Sequence, residues 1–143
     1  MQEQESIGRW ISVLFRQLQV HINRQLEQYH ISTGHMQILN VLFKNDGINQ
    51  ESLAKVLNYD KATIGRAVGR LEEEGYITRE IDPNDKRAYN LHLTPKGKQI
   101  EPEIKRILRN LTTILLADFS KEEQEIAFEH LKRMYQNIIS DQM

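Results

Sequence analysis

Apolar residues recur at intervals of three and four from Ile7 to Tyr29, at Trp10/Ile11, Leu14/Phe15, Leu18, Ile22 and Leu26. That spacing keeps one stripe on one side for about six turns, so it predicts a long amphipathic helix over residues 7–29. Ser32 is placed to cap a second helix to about Asn45, with Met36, Leu39, Leu42 and Phe43 on its inner side and Gly47 past its end. Asn49, with Glu51 in the first turn, opens a short third helix to about Leu57. Asn58 and Tyr59 make a turn, and Asp60 caps a fourth helix that runs to Glu74 and stops at Gly75.

The period then changes from 3.6 to two. Ile77–Ile81 and Tyr89–Leu93 each alternate apolar with polar residues, and a polar turn, Asp82–Arg87, lies between them. This is the only convincing β-hairpin in the chain. Thr94 followed by Pro95 is a cap with proline at the first helical position, and the helix it opens carries Ile100, Ile104, Ile107/Leu108, Leu111 and Ile114/Leu115. Ser120 with Glu123 is a capping box for a last helix bearing Leu131, Met134/Tyr135 and Ile138.

A hairpin directly after two short helices joined by a tight turn has the build of a winged helix-turn-helix. Within Gln50–Gly75, Ala54 falls where two helices must approach closely, and Asn58 can take the left-handed conformation that the turn requires. Leu53, Leu57, Ile64, Val68 and Leu71 then share a small core. The expected fold is mainly α with a small β-hairpin (α+β): a winged helix-turn-helix at 30–94, flanked by long N- and C-terminal helices at 1–29 and 95–143 that form a dimerisation domain. The two end stripes support that division, because they exceed what a small winged helix can cover, and uncovered apolar patches of that size mark interfaces.

The fourth helix has the composition of a reading helix. Ile64, Ala67/Val68 and Leu71 face inward, leaving Ala62, Arg66, Gly69 and Glu73 opposite, with Lys61, Thr63, Gly65 and Arg70 on the flanks. Small and basic residues can enter a major groove, where Arg66 and Arg70 would reach guanines or phosphates. Glu72, Glu73 and Glu74 would repel phosphate, so that end should point away from DNA. Taken alone, the same face suits any solvated helix. At the hairpin tip Arg87 is the candidate for a minor groove, where negative potential is concentrated, with Asp85 as its charge-assisted brace and Lys86 serving phosphate.

Charge is permissive rather than decisive. The 143 residues carry a net charge of −1, but Lys55–Lys98 holds nine basic residues against seven acidic ones. No cysteine is present, which excludes disulfide frameworks, thiolate zinc sites and cysteine redox sensing and agrees with a cytoplasmic protein. No apolar run is long enough for a membrane span. The five histidines show no ligand spacing, and neither a nucleophilic triad nor a phosphate-cradling loop is present, so no metal, cofactor or enzymatic activity is expected.

The run LEEEGYITRE followed by DPNDKRAYNLHLTPKG resembles the signature of the MarR family of winged-helix regulators. Leu71, Glu72, Gly75, Ile77, Arg79, Asp82, Asp85, Arg87, Leu93, Thr94 and Gly97 match that pattern, while Asn84 stands where the family most often has Arg. The resemblance implies a homodimer whose end helices interlock, binding double-stranded DNA at a pseudo-palindromic operator as a repressor. It also implies a cleft for a small aromatic or anionic effector, which Trp10, Phe15, Tyr29, Tyr59 and Tyr135 could line, although plain core packing accounts for any one of them. The competing reading is a winged helix that serves as a protein-interaction module without direct DNA readout.

Overall fold

Ser6 starts α1 (Ile7–Leu26), its hydroxyl accepting the Arg9 N–H at 3.2 Å. The computed structural model describes residues 5–143; the first four residues of the expected 1–29 segment lie outside it. A 3₁₀ turn, Glu27–Tyr29, finishes α1, and His30 ends it in the left-handed region at φ 62°. Contacts divide the chain into two units, Met1–Leu108 and Arg109–Met143.

α2 (Thr33–Lys44) begins at Ser32, as the sequence predicts. Its cap uses a histidine: the Ser32 N–H donates to Nδ1 of His35 at 3.0 Å, and the Ser32 hydroxyl lies 2.9 Å from the same nitrogen. A protonated Nδ1 cannot accept. Burial, and then the charge of Arg70, push the imidazole pKa below its ordinary value of 6.5. Because the folded state favours the neutral ring, its contribution to stability is complete above 6.5 and is lost as pH falls from there through the folded-state pKa. Against a His35→Gln variant, which keeps an acceptor that does not titrate, the wild type should lose stability selectively in urea titrations run from about pH 8 down to pH 5. Parallel pH profiles for the two proteins would refute this.

α3 (Gln50–Leu57) and α4 (Lys61–Glu73) pack on α2. Leu26, Leu39, Leu53, Ile64 and Leu71 are sealed from solvent, each contributing about 1.5–3 kcal/mol by burial. β1 (Ile77–Asp82) and β2 (Asp85–Leu93) form the antiparallel hairpin with Ile77 opposite Leu93, Arg79 opposite Leu91 and Ile81 opposite Tyr89. Ile77 and Leu91 are buried at its base, whereas Ile81 and Tyr89, further out on the same face, are exposed.

The reversal is shorter than the expected Asp82–Arg87 turn. Asp82 already pairs with Asp85, so only Pro83 and Asn84 form the loop, and the Asp82 carboxylate closes it by accepting the Asn84 N–H at 2.8 Å. The extra length sits inside β2, where the register shifts between Ile81 and Asp82 and leaves Lys86, Arg87 and Ala88 without opposite residues. One further pairing has no signal in the sequence: the Gly47 N–H donates to Leu91 O at 2.8 Å and the Leu91 N–H to Ile48 O at 2.9 Å, tying the loop before α3 to the wing.

The single helix expected from Pro95 to Leu115 is two, α5 (Pro95–Gln99) and α6 (Glu101–Leu115). Pro102 is the cause. It has no N–H to donate back to Lys98, and its ring crowds that carbonyl, whereas near the start of a new helix neither fault matters. α7 (Lys121–Asp141) follows its capping box and has no buried residue; Leu131 and Tyr135 are about 60% exposed. In α1, Trp10 and Phe15 are likewise half exposed. Among the described residues no helix is long and apolar enough to cross a membrane.

Candidate nucleic-acid interface

The turn between α3 and α4 is built from local bonds. The Asn49 side chain caps α3 by accepting N–H groups from Glu51 at 2.9 Å and Ser52 at 3.4 Å. Asn58 takes the left-handed conformation (φ 56°, ψ 43°), and the Tyr59 N–H reaches back to Ala54 O at 3.0 Å. Ala54 is buried, as close helix approach requires. The Tyr59 phenol fixes the turn to α2 through Gln37 Oε1 at 2.6 Å.

Asp60 caps α4 by accepting the Thr63 N–H at 2.7 Å, and the Thr63 hydroxyl donates to its other oxygen at 3.0 Å. Those two bonds, backbone first, hold the Asp60 carboxyl below the usual carboxylate range, with Arg66 adding to the effect. Thr63 thus belongs to the cap, and its hydroxyl also lies 3.5 Å from the Arg66 guanidinium. Lys61, Ala62 and Arg66 are exposed on the outer side of the helix. A side chain added at Gly65 or Gly69 would meet nothing within 4 Å, so no packing inside the protein demands either glycine.

Lys61, Asp85 and Arg87 line one groove between the start of α4 and the wing, together with Asn49, Gln50, Glu51 and Tyr89. Asn49 and Gln50 were absent from the residues expected at the site; at the start of a helix they read only as a cap and its first residue. The Gln50 Oε1 in this groove is buried and has no hydrogen-bond partner among the described residues.

Two expected roles change. Asp85 does not brace the Arg87 guanidinium; its carboxylate accepts the Arg87 backbone N–H at 3.0 Å, which shapes the bulge and leaves the side chain exposed. Lys86 is exposed beside it, and neither cation is ion-paired among the described residues. Arg70 is exposed but bonds to groups of its own chain. Its guanidinium donates to His30 O at 3.3 and 3.4 Å and lies 3.4 Å from the Glu74 carboxylate. Arg79 joins helix and wing, 3.1 Å from Glu72 and over the Tyr89 ring at 5.3 Å. The remaining exposed cations on α4 and the bulge form the surface suited to a polyanion.

A model of the MarR family matches residues 31–89. An uncharacterised HTH-type transcriptional regulator of Bacillus subtilis, YybA, is 32% identical over 94% of this chain and 90% of its own length. Among solved structures, a MarR transcriptional regulator from Methanosarcina mazei Go1 superposes with a TM-score of 0.87 at 39% identity, covering 94% of this chain and 96% of that one. An uncharacterised SlyA-like transcription regulator from Listeria monocytogenes gives 0.84 at 30% identity, covering 96% and 92%.

Proposed function

The chain belongs to the MarR family of DNA-binding transcriptional regulators, and from that premise we propose that it acts in the cytoplasm as a homodimeric repressor of a pseudo-palindromic operator. The observation that carries this reading is the shared placement of Lys61 and Arg87 on one groove, beside the exposed face of Ala62 and Arg66. In this arrangement α4 enters a major groove and the wing lies along the flanking backbone, Arg87 reaching the minor groove and Lys86 a phosphate. Arg66 reads base edges, and Thr63 and Asp85 act indirectly, as the cap and the shaper of the bulge. Arg70 supports α4 from behind. The exposed stripes on α1 and α7 meet a second copy, so that two reading helices face successive turns of one duplex. A small aromatic or anionic effector would lift repression by changing the separation of those helices. No step calls for catalysis.

Duplexes selected from a randomised pool by the wild-type protein provide the test. Arg87→Ala should weaken binding on all selected sequences at any one salt concentration and, in a salt titration, flatten the dependence, because it removes a charge contact. Arg66→Ala should cost about 1–3 kcal/mol on the preferred sequence and relax the base preference at one position. Full affinity and unchanged preference in both variants would sink the assignment. Absence of any salt-dependent duplex binding would favour a protein-docking role for the winged helix instead.

A further inference from the structure

The corner between α1 and α2 is held from two sides. From the α4 side, the Tyr76 phenol donates to Tyr29 O at 2.7 Å, and the Arg70 guanidinium donates to the next carbonyl, His30 O. From the α6 side, Glu103 Oε2 accepts the Tyr29 phenol at 3.0 Å and also the Arg106 guanidinium, at 3.2 Å from Nε and 2.7 Å from Nη2. Tyr29 therefore gives its main chain to the reading-helix side and its side chain to α6.

The last carbonyls of a helix can take water, side chains or 3₁₀-type bonds as partners. Bonds from Tyr76 and Arg70 are not required to end α1 and its 3₁₀ turn; what they add is direction. Neither phenolic hydroxyl is needed for packing. The Tyr76 ring is buried and carries the Lys96 ammonium 4.5 Å from its centroid, and both contacts survive loss of the hydroxyl.

We infer that Tyr29 and Tyr76, with Glu103 as anchor, are positioning residues for DNA recognition, fixing α4 relative to α6 through the Tyr29–His30 corner. This rests on the DNA-binding homodimer proposed above. In that dimer the placement of α4 on the corner that ends α1, a helix that meets the second copy, sets the distance between the two reading helices, which must match half-sites about one helical turn, 34–36 Å, apart. None of these three residues lies on the groove of Lys61 and Arg87.

The test uses the full chain and a duplex selected by the wild type, together with versions in which one base pair is added or removed between the half-sites. Wild type should lose about tenfold in affinity on each misspaced duplex, comparable to a mismatched base pair. Tyr29→Phe and Tyr76→Phe should each weaken binding to the selected spacing while leaving the misspaced duplexes nearly unchanged, flattening the profile. Arg87→Ala, a contact variant, should lower all three affinities in parallel, and so should a variant that merely folds less well, as its melting curve would report. Phe variants that keep the wild-type profile overturn the inference, as does a wild type indifferent to spacing, and in both cases the DNA-binding reading stands. A wild type that selects no duplex removes that reading and the inference with it.

Discussion

Replacing Gly97 with alanine should destabilise the protein by about 3 kcal/mol or more, at or beyond the upper end for overpacking. An ideal Cβ at this position would lie far inside the van der Waals contact distance from the Tyr76 carbonyl oxygen and 3.2 Å from a Leu93 methyl. The backbone has little freedom to yield. Tyr76 O accepts the Thr94 N–H at 3.0 Å, the Thr94 hydroxyl donates to Gly75 O at 2.6 Å, and the same hydroxyl accepts the Gly97 N–H at 3.0 Å. Thr94 is thus the joint between the end of the wing and α5, and moving Gly97 away from Tyr76 breaks that joint. At about 2–4 °C per kcal/mol for a chain of this size, the melting temperature should fall by roughly 10 °C. Gly65→Ala is the matched control. Its Cβ meets nothing, so relief of helical glycine should stabilise α4 by up to about 1 kcal/mol. Equal denaturant midpoints for Gly97→Ala and wild type would show that the close approach is not real.

The second large effect concerns α7. If α7 forms the proposed dimer interface, the wild type should sediment as a dimer and a Leu131→Glu/Met134→Glu double variant as a monomer. Neither position is buried in the single chain, so the substitutions leave its own core intact, and circular dichroism should report unchanged helix content. Charges placed inside an apolar interface are costly unless paired. Operator affinity should then fall by about 10²- to 10⁴-fold, because one half-site no longer raises the local concentration of the second reading helix. A double variant that stays dimeric moves the interface away from this stripe.

What could be seen in the chain beforehand was whatever depends on neighbours a few residues apart. Asn49, Asp60, Thr94 and Ser120 all cap helices as expected, because a cap is decided within three residues. The left-handed Asn58 belongs to the same class. The break at Pro102 is hidden in the sequence because the apolar spacing runs through it: Ile100 and Ile104 keep helical register on either side and are both buried. The hairpin loop is narrower than the alternation implies because Lys86–Ala88 interrupt that alternation, and a bulge has the sequence pattern of a turn. Arg70 lay beyond reach altogether, since its acceptor is a main-chain carbonyl forty residues away with no side-chain signature. The sequence places candidate cations on α4 and the wing; that Arg70 also bonds to the chain's own carbonyl and carboxylate is not visible in it.

The bulge in β2 bears on how such a wing can diversify. Ordinarily a one-residue insertion in a strand turns every later side chain to the opposite face. Here the base is pinned by Leu91, bonded to Gly47 and Ile48, and the far end by the Asp82–Asp85 pair, with unmatched residues between them. A change of length at 86–88 is absorbed in place, so the reach of Arg87 can drift over generations while Ile77, Leu91 and Leu93 keep their seats.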